Sequence, residues 1–469
     1  MSTAIKKNNA LDMTQGSILK SMLLFAFPIL IGNLFQQGYN LADTAVVGNF
    51  LGDDAIAAVG AAGPVYSLVL SFANGITNGF SVIVARYFGA HDSRKMAKAI
   101  SLSYLLTFII SIILTVLALS FLDPLLRFLK TPTEIFNDTK AYLTIIIGCC
   151  IVTMFYNMFA GLFRAIGNSR MPLYFLIAAT IINIVLDIVF VRFFNLGVPG
   201  VAYATAISQI SSVILCIIYI SKKFRLLRFE KQHFSLDFRM INDLFFTGFS
   251  MGLMLAVVSV GSVALQNAVN SFGRETITAH AAARKFDELF MLPLSTVSMV
   301  SSTFASQNYG AKKMDRVKKG ITTGILIAMG WSVFAFIFAY NFSEPIVRLL
   351  TGSENDFIIS TAVRYITINT LFFAVLSILL ILRSSLQGIG RKIVPIFASV
   401  IELIAKFAMT IYIAPRLGYI GVCFLEPAIW TVCALVVLID FIVFIRKCMR
   451  KFDSEDNHAE SDVQPAEQL

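Results

Sequence analysis

The sequence predicts an all-α integral membrane protein with twelve transmembrane helices, arranged as two six-helix bundles related by a pseudo-two-fold axis along the membrane normal. Composition is the first ground. Of 469 residues, 57% are hydrophobic and 14% charged, with a mean hydropathy of +0.77, against roughly 45–50% apolar and about 25% charged in soluble domains. The 42 phenylalanines suit a lipid-facing surface better than a water-facing one. The second ground is an internal repeat about 221 residues long. Asn49–Phe50–Leu51–Gly52 returns as Asn270–Ser271–Phe272–Gly273, and Phe88–Gly89–Ala90 as Tyr309–Gly310–Ala311. Pro124–Leu125–Leu126–Arg127 returns as Pro345–Ile346–Val347–Arg348, and Leu196–Gly197 with Gly200–Val201 as Leu417–Gly418 with Gly421–Val422. Between these anchors the register slips by two, so that Ala165–Ile166–Gly167 with Pro172 answers Gly388–Ile389–Gly390 with Pro395. Such a period lies far outside the 20–50 residues of solenoids and marks two homologous halves, a pattern of membrane transporters. The third ground is where Lys and Arg fall.

A helix crossing the ~30 Å hydrocarbon core needs about 20 mostly apolar residues, and twelve stretches qualify. The first, 18–47, follows Lys6, Lys7 and Lys20 and ends at Gly52–Asp53–Asp54. The second, 55–85, gives way to Arg86, Arg94, Lys95 and Lys98, and the third, 99–121, to Arg127, Lys130 and Lys140. The fourth, 141–163, stops at Arg164 and the breaker pair Gly167–Asn168, with Arg170 beyond. The fifth, 172–194, closes on Arg192 and Gly197–Val198–Pro199–Gly200. The sixth, 200–220, runs into Lys222, Lys223, Arg225, Arg228, Lys231 and Arg239. The second half repeats the order with spans 241–270, 276–306, 320–342, 362–386, 395–413 and 420–445. Its separators alternate between Arg274, Arg348 with Arg364, and Arg416 on one side, and three richer groups on the other. Those groups are Lys312, Lys313, Arg316, Lys318 and Lys319; Arg391 and Lys392; and Arg446, Lys447, Arg450 and Lys451. The two sides hold 26 and 8 basic residues. This bias places the richer side, and both termini, in the cytoplasm. Six crossings is an even number, so the halves run parallel to each other.

The chain therefore divides into an N-terminal segment 1–17, a six-helix half 18–220, a basic linker 221–240, a second half 241–445 and a tail 446–469. From Asp453 to Leu469 the tail holds six acidic residues, no Lys or Arg and little apolar content, and disorder is expected. The net charge of +10 resides in short loops between apolar spans, which argues against nucleic acid as a partner. The six cysteines (Cys149, Cys150, Cys216, Cys423, Cys433, Cys448) form no C-x-x-C pair, and five fall inside spans, where buried free thiols are expected. The first apolar span is too long for the core of a cleavable leader and reads as a membrane helix. There is no G-x-x-x-x-G-K-[ST] loop to cradle ATP phosphates and no H-E-x-x-H pair. His91, His233 and His458 lie in loops or tail, and His280, in the eighth span, reads as a hydrogen-bonded helix residue. No enzyme and no cofactor are indicated.

Ionisable and polar residues inside spans are the better lead, because a charge at mid-bilayer costs ~2.5–3.5 kcal/mol or more. The first helix carries Asn33, Gln36, Asn40 and Asp43 at i, i+3, i+7 and i+10, one face of a helix. That face must look into the bundle or a water-filled cavity. On the fifth helix Asn183 and Asp187 stand at i, i+4. At 1.5 Å per residue, Asp43 lies roughly 7 Å below Gly48, Asp187 roughly 12 Å below Asn195 and Thr205 roughly 7 Å below Gly200. These three share one outer layer, with Asn183 somewhat deeper. Two carboxylates with amide and hydroxyl oxygens suit a small hard cation such as Na⁺, and they equally suit a shared proton, because neighbouring buried acids resist joint ionisation. Asn157 and Glu426 join Asn33, Gln36 and Asn40 as candidates for lining a cavity. In the second copy Ala264 answers Asp43, and the Ala408–Thr410 region, which has no acid, answers Asp187. The second half's own charges read as ion pairs within a helix: Glu402 with Lys406, and Arg284 with Glu288, Lys285 and Asp287 standing beside them. Glu426 occupies the place of Thr205 and has no evident partner. Arg383, about five residues from the cytoplasmic end, can snorkel.

Pro28, Gln36, Asp43, Val47–Gly48 and Leu51–Gly52, then Arg164–Ala165–Ile166–Gly167 with Pro172, and Asn183–Ile184–Val185–Leu186–Asp187 resemble the multidrug and toxic compound extrusion (MATE) family. The resemblance spans about residues 15 to 445. It implies two six-helix bundles around a central cavity, in the cell membrane, exporting organic cations and other amphipathic small molecules against an inward flow of Na⁺ or H⁺. In the subgroup this sequence is most similar to, the coupling site carries over to Asp43, Asn183, Asp187 and Thr205, and the bendable proline of the first helix to Pro28. Another subgroup uses a Glu in the seventh helix and an Asp in the tenth; this chain has neither. A monomer in contact with lipid is expected, without ATP. Two rival readings are a flippase for lipid-linked saccharides from the same broad superfamily and a channel or receptor. The first would need several Arg or Lys facing the cavity at mid-depth, and the N-terminal spans offer almost none. The second leaves the paired halves and their unequal acids unexplained.

Overall fold

A computed structural model describes residues 11–224, 227–229 and 235–461. Lys6 and Lys7, and the linker positions Arg225 and Lys231, lie outside the described residues. The chain folds as α1 (Ile18–Leu51), α2 (Asp53–Gly89), α3 (Ser93–Ser120), α4 (Thr133–Gly148 continuing as Cys150–Ala165), α5 (Arg170–Ile188) and α6 (Gly197–Lys223). The second half follows as α7 (Phe238–Asn270), α8 (Arg274–Gly310), α9 (Met314–Thr351), α10 (Asp356–Leu371 continuing as Phe373–Gly388), α11 (Ile393–Ala408) and α12 (Tyr419–Ser461). Ten of these are long and apolar enough to cross a bilayer, and twelve when α4 and α10 each count as one span. The protein is an all-helical, multi-pass membrane protein.

Three features depart from the even spans expected. First, α4 bends by 48° and α10 by 49°, at Cys149 and Phe372, which are repeat-equivalent positions. Second, α5 and α11 each end in one π-helical turn, Val189–Phe193 and Met409–Ile413. Counted from these turns, Asp187 answers Phe407, one residue before the stretch expected, and no acid stands there either. Third, a short helix, Leu122–Phe128, lies between α3 and α4 and is tied to α4 by an Asp123–Lys140 ion pair of 2.8 Å. Hydropathy is continuous through the two bends, so nothing apolar or polar marks them in the sequence, whereas the short helix carries Asp123, Pro124 and Arg127. Beyond the last membrane stretch, α12 keeps a helical backbone to Ser461, through the first part of the segment read as a disordered tail, and 462–469 lie outside the described residues.

Each half packs the same way: α1 on α5, α2 on α4, α5 on α6, and their counterparts α7 on α11, α8 on α10, α11 on α12. One apolar core holds the second half together, and two fill the first. A fourth joins the halves, with Met13, Met22, Phe25 and Ile29 against Val300 and Phe304. Cys150, Cys216, Cys423 and Cys433 are buried free thiols, and Cys149 is half-buried and free.

The halves meet closely toward the face that carries the basic loops, here called the basic face. α2 crosses α7 at glycines: a Cβ on Gly75 would come within 2.4 Å of the Gly252 backbone, and one on Gly79 within 2.4 Å of Gly248. Near the helix ends the contact becomes reciprocal. A Cβ on Gly89 would strike the Gln307 carbonyl at 1.9 Å, and one on Gly310 the Arg86 carbonyl at 1.9 Å. The repeat pairs Gly89 with Gly310 and Arg86 with Gln307, so this is the self-complementary contact of a two-fold axis. One anchor of the sequence repeat, Phe88–Gly89–Ala90 with Tyr309–Gly310–Ala311, marks where that axis passes. Among the described residues, hydrogen bonds between the halves extend outward only to Asn33–Thr296 (3.0 Å) and to Ser67 and Ser71 on Ser259 (3.4 and 3.1 Å), near mid-depth.

Candidate functional site

Away from the basic face, the first half brings its acids together. Asp43 sits eight residues from the end of α1, roughly 12 Å. Asn183 and Asp187, both fully buried, face it from α5, and Thr205 faces it from α6. The two carboxyl groups lie within hydrogen-bonding reach of each other. The Asn183 amide orientation that satisfies every partner turns Nδ2 to donate to Asp43 Oδ1 at 2.8 Å and to Asp187 Oδ2 at 3.0 Å, while its oxygen accepts from the Thr205 N–H at 3.2 Å. Tyr39, one turn before Asp43, holds the Thr205 hydroxyl at 3.2 Å and stands beside Asp43. Tyr66 and Tyr142 stand around the pair. Among the described residues, Asp187 Oδ1 is buried with no partner, and no cationic side chain acts on either acid. The π-helical turn directly after Asp187 is a local register shift of the kind frequent at functional sites. Gly200 makes room for it, since a Cβ there would lie 3.3 Å from Phe190 Cβ.

Asp43, Asn183, Asp187 and Thr205, grouped from spacing and depth, thus form one cluster. Tyr39 escaped the sequence reading, although its i, i+4 spacing to Asp43 was available; only amides and acids were sought. The remaining candidates disperse. Asn33 reaches across to Thr296 on α8, Gln36 and Asn40 are exposed on α1, and Asn157 is half-buried on α4. Pro28 is buried within an unbroken α1.

The second half required more correction. Glu426 is not alone: Arg284 Nη1 contacts both its oxygens at 3.5 Å. Arg284 therefore pairs with Glu426 rather than Glu288, and Glu288 pairs loosely with Lys285 at 4.0 Å. Arg383 does not snorkel. Its side chain is 3% exposed and holds Glu402 at 3.1 Å and Ser399, while Lys406 takes the other Glu402 oxygen at 3.2 Å. Sequence spacing showed the Glu402–Lys406 pair but not the partner from another helix. His280 bonds the Tyr419 hydroxyl at 3.1 Å, as expected of a structural helix residue. Asp243 near the start of α7 is held by Lys392 at 2.6 Å and Arg86 at 3.5 Å, at the basic face. Among the described residues no group of three or more His, Cys, Asp or Glu side chains is arranged to hold a metal ion.

A twice-repeated helical membrane bundle with a pair of acids that no cation balances is the architecture of a membrane transporter. The two stretches 28–189 and 241–412, one in each half, match the MatE family model. The chain belongs to the MATE family of multidrug efflux transporters. It is similar to the probable multidrug resistance protein YoeA of Bacillus subtilis, 28% identical over 434 residues covering 90% of this chain and 93% of that protein. It is also similar to the multidrug export protein MepA of Staphylococcus haemolyticus, 25% identical over 440 residues covering 92% and 94%. A solved outward-facing structure of a multidrug resistance MATE transporter superposes with a TM-score of 0.85 at 21% identity, over 94% of this chain and 99% of that one.

Proposed function

We propose that this chain is a secondary antiporter that exports organic cations or other amphipathic compounds in exchange for H⁺ or Na⁺, and that Asp43, Asn183, Asp187 and Thr205 bind the coupling ion. The observation that carries this reading is the acid pair itself. Two carboxyl groups share one amide donor and lack any cation to balance them, and in a membrane interior such charges are stable only when neutralised. With the Asn183 nitrogen turned to both acids, the arrangement suits a shared proton. Na⁺ would use the same carboxyl oxygens and the Thr205 hydroxyl, with Asn183 turned end over end to offer its oxygen. Names of relatives such as MepA support the multidrug cargo.

The excess of Lys and Arg on the basic face makes that face cytoplasmic, and its closed contacts make this an outward-facing state. Cation binding removes the repulsion between Asp43 and Asp187. α1 then rearranges about Pro28, where the missing N–H leaves the helix cheap to bend, and the substrate is released outward. Rocking of the halves next exposes the acids to the cytoplasm, where the cation leaves. A flippase for lipid-linked saccharides would need free cationic groups in the bundle. Among the described residues, the buried Arg383 and Lys406 and the half-buried Arg284 are each engaged by a carboxylate, and the half-buried Arg164 is engaged by the Asn78 amide oxygen at 3.1 Å.

The test is efflux of a fluorescent organic cation from proteoliposomes under an imposed pH gradient or Na⁺ gradient, each alone. Wild-type protein should respond to one of them, and Asp43→Asn or Asp187→Asn should lose at least tenfold in driven rate. Full ion-driven export by either variant would refute the site.

A further inference from the structure

Five ionisable residues fall within two and a half turns of α8: His280, Arg284, Lys285, Asp287 and Glu288. Four are accounted for. Lys285 and Glu288 face outward together at 4.0 Å, with side chains 68% and 48% exposed. His280 is engaged by the Tyr419 hydroxyl and lies edge-on to Tyr365 at 4.9 Å. Arg284 faces Glu426. Asp287 is different: it is 1% exposed, and neither carboxyl oxygen has a hydrogen-bond partner.

The groups acting on it are Glu426 from α12, Arg284 and Glu288 from α8 itself, and the hydroxyls of Tyr365 on α10 and Tyr419 at the start of α12. Among the described residues, α1, α2 and α9, which also pack on α8, bring no charged group to bear on it. The centre therefore holds two buried carboxyls and one half-buried guanidinium. It is neutral only when it binds one further positive charge, and neutrality is what a membrane interior demands. Arg284 does not fully commit to Glu426. Its 3.5 Å contacts to both oxygens are long beside the 2.7–2.9 Å of a strong charge-assisted pair. It stands three residues from Asp287, on the same helix face. Arg284 and His280 also line a cavity of about 280 Å³ shared with Ser262 and Gln266 of α7, which borders the cluster on its guanidinium side. Too few donors converge for a metal ion, so the fitting ligand is a proton.

We propose that Asp287 is a second proton-binding site, in the half that lacks the acid pair. In the outward-facing state its carboxylate takes a proton from external water, leaving Arg284 with Glu426. When the halves rock, Arg284 turns to Asp287, the proton leaves to cytoplasmic water, and the positive charge of the cationic substrate replaces it beside Glu426. This rests on the antiporter reading above, and one substrate molecule then moves against one proton more than the first half alone would carry.

Two measurements test it on the full chain. Infrared difference spectra of the purified protein, between neutral and strongly alkaline pH, should show a buried protonated carboxyl in an Asp43→Asn/Asp187→Asn double variant. That band should disappear when Asp287→Asn is added. Absence of the band from the double variant overturns the proposal without recourse to any change at Asp287. In proteoliposomes, the proton-to-substrate ratio for an ethidium-type cation, taken from the opposing gradients that stop net flux, should fall by one in Asp287→Asn and recover in Asp287→Glu. An unchanged ratio in Asp287→Asn also overturns it. If instead the double variant exports like wild type while the band persists, the antiport site in the first half fails and the second proton site stands.

Discussion

Asn183 is the side chain on which the acid pair depends. It supplies the only amide donor shared by Asp43 and Asp187, and its oxygen is anchored on the Thr205 N–H. Hydrogen bonds to charged groups contribute about 1.5–3 kcal/mol each. Asn183→Ala should therefore shift coupling-ion affinity by roughly 10- to 100-fold, tighter for H⁺ because losing a donor favours the protonated acids and weaker for Na⁺ because a coordinating oxygen is lost. The readout is a shift in the half-saturating Na⁺ or H⁺ concentration for efflux, with the folded protein retained. An unaltered half-saturation would mean the amide is a bystander. This cluster was legible in the sequence because membrane depth and helical spacing are both linear in residue number. The ion pairs of the second half were not. Arg284 meets Glu426, and Arg383 meets Glu402, across helices, and i, i+4 reasoning sees only one helix at a time. Burial raises the stakes of these contacts. Glu402 balances both Arg383 and Lys406, all three nearly buried, and removing one partner from a buried pair costs about 3–5 kcal/mol. Glu402→Gln should lower the thermal midpoint of the detergent-solubilised protein markedly, whereas Glu344→Gln, whose partner Arg348 is an exposed neighbour on α9, should leave it near wild type.

At the scale of the helices, the sequence revealed the number and order of the spans but not their bends. The breaks at Cys149 and Phe372 occur inside unbroken apolar runs, and the paired π-helical turns lie at the ends of such runs, where three-dimensional packing sets the backbone. Their recurrence in both halves identifies them as part of the scaffold. The crossing of α2 and α7 is the opposite case, since its glycines were visible and their purpose was not. Gly75 and Gly79, spaced by four, lie on Gly252 and Gly248, spaced by four, in backbone-to-backbone contact. Small residues at that spacing allow close approach of membrane helices. Gly79→Leu must push the helices apart, because the first added carbon already overlaps the Gly248 backbone. It should open the basic face and cut export at least tenfold, with greater labelling of cysteines introduced beside it. Gly60→Ala is the control: nothing lies within 4 Å of its added carbon, and transport should be unchanged. Equal labelling in the two variants would show that this crossing is not the closure.

For the molecule as a whole, the scaffold obeys the two-fold axis while the chemistry and the N-terminal segment do not. Leu11 to Gly16 run beneath both halves. The Leu11 N–H donates to the Gly167 carbonyl of the first half at 3.1 Å. From the second half, Gln307 accepts from the Met13 N–H at 3.1 Å, Lys313 donates to the Thr14 carbonyl at 2.9 Å, and Arg316 donates to the carbonyls of Met13, Gln15 and Gly16 at 3.1, 3.3 and 3.0 Å. Gln307 also donates to the Ala165 carbonyl at 2.9 Å, so one side chain joins both halves and the strap. Met13, fully buried, adds its side chain to the apolar cluster between the halves. The halves cannot separate on this face until the strap lets go of one of them. It therefore stabilises the state drawn here and not the alternative, and its hydrogen bonds enter the conformational equilibrium directly. Arg316→Ala removes three of them. At about 1.5 kcal/mol or more for a charge-assisted set, the ratio of closed to open basic face should fall by roughly tenfold or more. Distances between spin labels placed across this face would report it, as a broadened population at longer separation. Gln307→Ala should act in the same direction, and Lys319→Ala, a basic residue of the same loop that makes none of these contacts, should not. An unshifted distance distribution in Arg316→Ala would mean that the glycine contacts alone hold the face shut and that the strap merely follows them.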